Sequence, residues 1–302
     1  MAKIKRRVLG TMPTGILAAS EAVQERRYAG KRCERPMASQ VRRVIDTLCE
    51  VIGPHCRTLT VGDVSPPIIN KCVDLWDGRD DLSAGTIHKR LCIMSSMGIN
   101  VKGNWVSAEP VLKWWLTPDN EAALLAHLRQ PEEPFENAHL VADYIEFNCY
   151  VGLRVEEALR LRWSEVNLCF NNGINESEMT VPGTKTQGAQ ATLFVPDEAA
   201  TILVRLHGSI KEGEERVFPL SYKAMQRAWD KCRAFMGCED DPMATLKALR
   251  RTAARYLSVH GMPTEGIQKY LRHDDIETTM EYLRLVGGYT TTEQRKWLTQ
   301  YR

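Results

Sequence analysis

One segment of the chain, residues 166–196, departs from the helical pattern that dominates the rest of the sequence. It holds an Asn-Asn-Gly turn signal at 171–173 and two short runs rich in β-branched residues, at 179–181 and 191–195. Short runs of this kind between turn residues predict strands joined by hairpins. A chain with one small antiparallel sheet among helices is therefore limited to a mainly α fold of the α+β class.

The residues before this segment carry apolar side chains at helical spacing. From Ser39 they recur at i, i+3, i+4 and i+7, and a Gly-Pro pair at 53–54 ends the pattern. Two prolines at 66–67 open a second helix, and Ser83 is expected to cap a third. The three segments predict a small helical domain over residues 39–105.

Two stretches flank this domain. Residues 1–38 are basic and carry several glycines and prolines, which predicts a partly flexible N-terminal arm. Residues 106–112 predict a linker, after which Thr117 should cap a helix that begins at Pro118. A larger second domain is predicted over residues 113–302. Its further helices are predicted near residues 139–150, 153 onward, 197 onward, 221–236, 244–260, 263–271, 275–285 and 291–300.

Charge is unevenly distributed between the two predicted domains. Residues 1–112 hold 17 basic and 11 acidic residues, a net charge of +6. Residues 113–302 hold 23 basic and 27 acidic residues, a net charge of −4, so the 302-residue chain carries +2. A basic first third favours a polyanionic partner, although a solvated basic face is the commoner cause of such a bias.

The composition argues against several other classes of protein. The nine cysteines are odd in number and lack Cys-x-x-Cys spacing, and the seven histidines form no cluster with them. We therefore expect reduced thiols and no bound metal. No apolar run reaches the roughly 18 residues of a membrane span, and no secretory signal is recognisable. The sequence predicts a cytoplasmic protein without a membrane partner.

The helix predicted at 244–260 places an arginine on its apolar face. At about 100° per residue, Arg250 falls near the centre of the stripe formed by the apolar residues of this helix. A buried arginine must be paired or must serve a ligand. Arg251 and Arg255 point away from the stripe, and we expect both to be solvated.

The helix predicted at 275–285 carries a tyrosine away from its apolar stripe. Ile276, Met280 and Leu283 define the stripe, and Tyr282 lies about 120° from it. The hydroxyl of Tyr282 is therefore not required to enter the core. Such a tyrosine is ordinarily a surface residue when it is considered alone.

Four motifs occur in the order and spacing of one protein family. A Gly-x-Arg-x-x-Glu sequence begins at 152, a lysine lies in the predicted hairpin turn, and a Lys-x-x-Arg-x-Thr sequence begins at 247. A histidine then precedes a tyrosine by nine residues. Together the motifs are specific, and over about residues 115–285 the chain resembles the tyrosine recombinases, or phage integrase family. Residues 40–105 more loosely resemble the helical core-binding, DNA-binding domain of that family. The residues that match the family's catalytic positions are Arg154, Lys185, Lys247, Arg250, His273 and Tyr282. Glu157 matches the family's carboxylate that supports them.

The resemblance implies a chemistry for these residues. In this family a tyrosine hydroxyl attacks a DNA phosphodiester and forms a 3′-phosphotyrosyl bond, without ATP, cofactor or metal. Arg154 and Arg250 are expected to hold the non-bridging phosphate oxygens, and Lys185 to protonate the leaving 5′-oxygen. His273 is expected to donate to a phosphate oxygen or to position the tyrosine. Glu157 is expected to orient the arginines.

Two positions depart from the family pattern. Lys247 stands where histidine is commonest, and because lysine is a poor base at neutral pH, the group that deprotonates the tyrosine stays open. Arg272 replaces the usual glycine before His273, and it either contacts a phosphate or is solvated. Considered singly, Lys185 also fits a surface turn residue, and Glu157 fits a surface ion pair.

The resemblance also implies how DNA is held. Such recombinases grip double-stranded DNA as a C-shaped clamp between their two domains, and phosphate contacts supply salt-dependent affinity. The residues expected to contact DNA are Arg42, Arg43, Lys89, Arg90 and Arg272. A helix from about Thr291 is expected either to dock on a neighbouring protomer of a homotetramer or to pack on its own domain.

Two functions follow from these expectations. The first is a site-specific recombinase that exchanges strands through a Holliday junction, most simply the integrase of a phage or other mobile element. A chromosome-dimer resolvase or a transposon recombinase would use the same chemistry. Accessory DNA-bending proteins and association with the nucleoid would accompany these roles. The second function is that of a decayed integrase that binds DNA without cutting it, which the departures at Lys247 and Arg272 motivate.

Overall fold

The chain divides into two compact units, Met1–Glu109 and Pro110–Arg302. The computed structural model describes residues 14–28, 34–79, 82–104, 114–181, 191–210 and 212–285. The predicted linker at 106–112 lies outside the described residues. Among the helices in these ranges, none is both long enough and apolar enough to cross a membrane.

The first unit is helical around one core. Its α-helices are α1 (Ile16–Val23), α2 (Glu34–Ile52), α3 (Pro66–Asp74) and α4 (Ala84–Ser96), with short 3-10 helices at Pro54–Arg57 and Val61–Asp63. The apolar stripe predicted from Ser39 onward forms part of the core, since Val41, Val44 and Leu48 are fully buried. The Gly-Pro pair at 53–54 ends α2, as its backbone restrictions require.

Part of the predicted N-terminal arm forms helix α1. Ile16 and Ala19 of α1 are fully buried in the core of the first unit. The backbone of the same segment is tied down, because the Val61 N–H donates to the Thr14 carbonyl at 2.7 Å. Glycine and proline on either side obscure the short apolar stripe of α1 in the sequence. The partial flexibility of the arm as a whole stays a prediction. Residues 1–13 and 29–33 lie outside the described ranges.

The second unit surrounds a small antiparallel sheet with helices. Its helices are α5 (Pro118–Leu128), α6 (Ala138–Val151), α7 (Val155–Ala158), α8 (Asp197–His207), α9 (Tyr222–Phe235), α10 (Lys247–Val259), α11 (Thr264–Leu271) and α12 (Ile276–Leu285). Its strands are β1 (Val166–Asn167), β2 (Phe170–Asn171), β3 (Ile174–Asn175), β4 (Glu178–Val181) and β5 (Ala191–Phe194). The predicted mainly α fold with a small antiparallel sheet is confirmed.

The sheet follows the turn chemistry of the sequence. Strand β4 lies between β1 and β5, and Met179 pairs with Val166 on one side and with Leu193 on the other. Strands β2 and β3 form a separate hairpin. Asn172 and Gly173 at its turn both have positive φ, 50° and 81°, as a tight two-residue turn requires.

Helix α6 is central to the second unit and ends at the site described next. Tyr144 and Phe147 of α6 are fully buried, and α10 packs along the same helix. The predicted cap of α5 is present, since the Thr117 side chain accepts the Asn120 N–H at 3.3 Å. Just before this cap, the Leu116 N–H donates to the Thr252 hydroxyl of α10 at 3.0 Å. The segment before α5 is thus tied to α10, which itself packs along α6.

Candidate active site

The site begins at the glycine that ends α6. Gly152 has φ +67°, and a β-carbon there would lie 2.7 Å from Leu271 and 2.8 Å from Ala253. Glycine therefore meets two requirements at once, the left-handed backbone and the close approach of α10 and α11. The Gly152 carbonyl also accepts a hydrogen bond from Arg250 at 2.7 Å.

Arg154 lies two residues further on, at the N-cap of α7, and its orientation is fixed by Glu157. The Arg154 Nη1 donates to Glu157 Oε1 at 2.9 Å, and the Arg154 backbone N–H donates to Oε2 at 3.0 Å. Burial raises the pKa of the Glu157 carboxyl, but the charge of Arg272 and the bonds from Arg154 outweigh it, so the pKa lies below its ordinary value. The carboxylate is thus a fully buried anion that holds Arg154 in place.

Arg250 is buried, as its position on the helix predicts, with only 6% of its surface exposed. Its guanidinium donates to the carbonyls of Gly152 and Leu271. Burial, followed by the charge of Arg154, lowers the pKa of Arg250 to about 10, so the group stays protonated at neutral pH. Two carbonyls therefore hold a buried cation whose remaining N–H groups are available to a ligand.

His273 is held by a threonine on the next helix. Its Nδ1 lies 2.8 Å from the Thr279 hydroxyl, whereas its buried Nε2 has no hydrogen-bond partner among the described residues. Burial and then the charges of Arg250, Arg154 and Arg272 lower the pKa of the His273 imidazole to about 4. The imidazole is therefore neutral at physiological pH and has one ring nitrogen left for a ligand.

Tyr282 packs against His273, with ring centroids 5.0 Å apart in an edge-to-face arrangement. The prediction for the stripe of α12 was partly wrong, since Met280 is 39% exposed and Thr279 is fully buried. Tyr282 follows Thr279 by three residues and so shares its face of the helix. The buried face of α12 is therefore also the face that carries the tyrosine towards the histidine.

A cavity of about 650 Å³ joins these groups. Among the described residues that line it are Arg154, Lys247, Arg250, His273 and Tyr282. The structure thus brings together five of the six residues matched to catalytic positions. Lys247, the first residue of α10, is exposed and lies one helical turn before Arg250. The sixth, Lys185, lies outside the described residues.

Arg272 is not the solvated residue that one interpretation expected. Its side chain is 9% exposed, and its Nη2 lies 2.6 Å from Glu157 Oε2. Its backbone is left-handed, with φ +57°, which accounts for the glycine usual at this position. Arg251, on the second turn of α10, was likewise expected to be solvated, but it is only 5% exposed and donates to the Met243 carbonyl.

The residues expected to contact DNA from the first unit fall into two groups. Arg42, Arg43 and Lys89 are exposed on α2 and α4. Arg90 is 4% exposed, and its guanidinium carbon lies 5.1 Å from the centroid of the Trp76 ring. The expectation for Arg90 was therefore wrong, because this arginine packs into the core of the first unit.

Sequence reasoning assigned no role to Thr279 or to the carbonyl of Gly152. For Thr279 a signal existed, since it lies four residues before the next apolar position of α12, Leu283, on the same helical face. For the carbonyl no such signal exists, because a backbone atom is the same in every residue. Its role depends on α10 packing against the end of α6.

Comparison with known proteins relates the second unit to one family. Residues 114–286 match the profile of the phage integrase family. Tyrosine recombinase XerA of Saccharolobus solfataricus is 31% identical over 135 residues, which are 45% of this chain and 42% of that relative. The chain thus aligns with less than half of the relative's length.

Solved structures share the fold. A Tn1549 transposon integrase in complex with a circular intermediate DNA has a TM-score of 0.68 at 14% identity, over 96% of this chain and 100% of that chain. A lambda integrase tetramer bound to a Holliday junction has a TM-score of 0.63 at 14% identity, over 91% and 78%. The family match covers more than half of the sequence, and so the chain belongs to the phage integrase family of tyrosine recombinases.

Proposed function

We propose that this protein is a site-specific DNA recombinase that cuts and rejoins strands through a 3′-phosphotyrosyl intermediate and a Holliday junction. The observation that carries the proposal is one cavity in which a tyrosine, two oriented guanidinium groups, a lysine and a neutral histidine lie together. A tyrosine nucleophile needs neighbouring groups that neutralise the charge of a phosphoryl transition state. Arginine and lysine side chains supply that charge without a metal ion.

The proposed cleavage step keeps the energy of the phosphodiester bond in the phosphotyrosyl bond that replaces it. The Tyr282 oxygen forms a bond to phosphorus and its phenolic proton passes to solvent. The bond from phosphorus to the 5′-oxygen breaks, and the 5′-oxygen takes up a proton. Arg154 and Arg250 bind the two non-bridging oxygens, and Lys247 adds a third cation at the edge of the cavity. Lys185 is proposed as the donor of the proton. The 5′-hydroxyl of another strand then reverses the reaction, so that no ATP is consumed.

His273 is proposed to act in its neutral form. Its Nε2, which has no hydrogen-bond partner among the described residues, would carry a proton and donate it in a hydrogen bond to a phosphate oxygen. The low pKa of the imidazole keeps this group from adding a further positive charge beside Arg250. The histidine is therefore proposed to orient the phosphate by a hydrogen bond, and the arginines to neutralise its charge.

A covalent-trapping assay tests the proposal. The purified protein is incubated with nicked DNA from the region that flanks its own gene, where mobile elements often keep their attachment site, and a denaturant-resistant adduct is sought. The adduct should form with the wild type and be lost in Tyr282→Phe. Tyr222→Phe is the matched control, because Tyr222 also lines the cavity and should not be needed. Site-specific binding without any adduct would instead favour a decayed integrase that only binds DNA.

We propose double-stranded DNA as the partner and a homotetramer as the active assembly on it. The exposed Arg42, Arg43 and Lys89 of the first unit fit a phosphate backbone. The lambda integrase that shares the fold is a tetramer on a Holliday junction, which supports the assembly proposed for this chain. An integrase of a mobile element that works at the nucleoid of the cytoplasm, with DNA-bending accessory proteins, is the most economical role. Size measurement of the protein on paired sites tests for four protomers.

A further inference from the structure

Arg272 occupies a position that disfavours its side chain. It ends helix α11 in the left-handed conformation, with φ +57° and ψ 51°, where glycine is the ordinary residue. An arginine there carries a β-carbon into a region that most residues avoid. The contacts of the side chain should therefore offset this conformational penalty.

The guanidinium of Arg272 contacts the same carboxylate that holds Arg154, that of Glu157. Arg272 Nη2 lies 2.6 Å from Glu157 Oε2, and Arg154 Nη1 lies 2.9 Å from Oε1. Glu157 is fully buried, so its charge must be balanced by partners at close range. One carboxylate thus connects two arginines, only one of which reaches the cavity.

The backbone of Arg272 makes a second contact. Its carbonyl accepts a hydrogen bond from Arg154 Nη2 at 3.2 Å. Both terminal nitrogens of Arg154 are therefore fixed, Nη1 by Glu157 and Nη2 by the Arg272 carbonyl. Because Arg272 also holds Glu157, one residue controls both contacts.

Arg272 is not among the described residues that line the cavity, whereas Arg154, Arg250 and His273 are. Its Nε and Nη1 are buried and have no hydrogen-bond partner among the described residues. A direct phosphate contact would use these two groups. If Arg272 contacts a phosphate, its removal should change the salt dependence of DNA binding. If it supports Arg154, its removal should slow cleavage and leave that salt dependence unchanged.

We propose that Arg272 is a positioning residue: its side chain and carbonyl hold Glu157 and Arg154 in the orientation in which Arg154 binds the scissile phosphate. The inference rests on the proposed recombinase function. It replaces the expectation that Arg272 contacts DNA. It also explains how this chain accommodates an arginine where glycine is usual, since the extra side chain becomes part of the support for the phosphate site.

The test compares cleavage with DNA binding in Arg272→Gly. Glycine suits the left-handed backbone, so the variant should fold, and a thermal melt checks this. We expect single-turnover cleavage of saturating DNA to fall about 10- to 100-fold, as a misplaced reacting group does. The slope of log binding constant against log salt should stay at the wild-type value. Arg272→Lys keeps the charge beside Glu157 and should recover part of the rate.

Two results would overturn the inference. A salt slope that falls by about one in Arg272→Gly would make Arg272 a phosphate contact. Cleavage at the wild-type rate would remove the positioning role. Arg162→Ala, which removes an exposed arginine paired with Glu215, controls for loss of charge and should leave both readouts unchanged.

If wild-type protein formed no adduct at all, the recombinase proposal would fail first. The inference would then be decided on the free protein by arginine side-chain ¹⁵N NMR, with Arg154→Lys to assign the signals. The Arg154 Nη groups should rotate more slowly in the wild type than in Arg272→Gly, which keeps the carbonyl of residue 272 but loses the side chain that holds Glu157. Equal rotation in both proteins would contradict the positioning role whatever the activity.

Discussion

At the scale of single residues, the Thr279 hydroxyl lies 2.8 Å from His273 Nδ1, and we predict that it selects the tautomer of the imidazole. If the hydroxyl donates to Nδ1, the imidazole proton resides on Nε2, the nitrogen that has no other partner among the described residues. Thr279→Val keeps the shape and removes the donor, so we expect single-turnover cleavage to fall about 10-fold, as loss of one oriented hydrogen bond does. Histidine ¹⁵N NMR should show a mixture of tautomers in the variant. Thr279→Ser is the control and should retain the wild-type spectrum.

The same histidine makes stability depend on pH. Its pKa is about 4 in the folded protein and 6.5 in the reference state, so the unfolded chain binds the proton more readily. The contribution of neutral His273 is fully present above pH 6.5 and is lost as the pH falls from 6.5 through 4. Urea unfolding at pH 7, 5.5 and 4.5 should show a smaller loss of unfolding free energy in His273→Gln than in the wild type. Parallel losses would contradict the shift.

Gly152 is the residue at which substitution should be most damaging to the fold of the site. Gly152→Ala forces a β-carbon into a left-handed backbone and to within 2.8 Å of Ala253. We expect the free energy of unfolding to fall by about 2 to 4 kcal/mol. Gly173→Ala, at a turn with positive φ but open space, carries only the backbone penalty and should lose less. Chemical denaturation of both variants measures the difference.

At the scale of elements, the start of α10 presents positive charge to the cavity from two sources, a side chain and the helix N-terminus. Lys247 is its first residue, and the N-terminus of a helix carries partial positive charge. Lys247→Ala should lower cleavage about 100-fold, whereas Lys247→His, which installs the residue commonest in the family, should stay within about 10-fold of the wild type. The histidine variant should also gain a pH dependence near 6.5 that the wild type lacks. A flat pH profile for that variant would argue that residue 247 does not contact the reacting phosphate.

Elements defined by local chemistry could be predicted from the sequence, and features defined by packing could not. The Thr117 cap, the Asn-Asn-Gly hairpin turn and the buried Arg250 depend on neighbouring residues or on position around one helix. Arg251 and Arg90 were expected to be exposed, yet both are buried: Arg251 donates to the Met243 carbonyl before its own helix, and Arg90 packs against the Trp76 ring. Helix periodicity shows which face is apolar, but it does not show how wide a face the rest of the fold covers.

At the scale of the whole molecule, the first unit should supply salt-dependent affinity. Arg42→Ala removes an exposed cation of α2 and should lower the slope of log binding constant against log salt by about one. Arg90→Ala is the matched comparison, because it removes a buried cation of the same unit. It should lower the melting temperature and leave the slope unchanged. Equal slope changes for the two variants would contradict this division.

Cleavage should also be independent of divalent metal. Arg154, Arg250 and Lys247 place three cations around the cavity, which is the charge that a metal ion supplies to phosphoryl transfer in other enzymes. We expect single-turnover adduct formation to proceed at an unchanged rate in excess EDTA. Loss of the adduct on chelation, with recovery on adding Mg²⁺, would show that the protein cations are insufficient.

The contacts that orient the two arginines join distant parts of the chain. Arg250 bonds to Gly152 across 98 positions, and Arg154 bonds to the Arg272 carbonyl across 118. During synthesis the first unit emerges from the ribosome before any of these pairs is complete, and Tyr282 emerges later still. Under the proposed function, a nascent or prematurely terminated chain can therefore hold DNA but cannot break it.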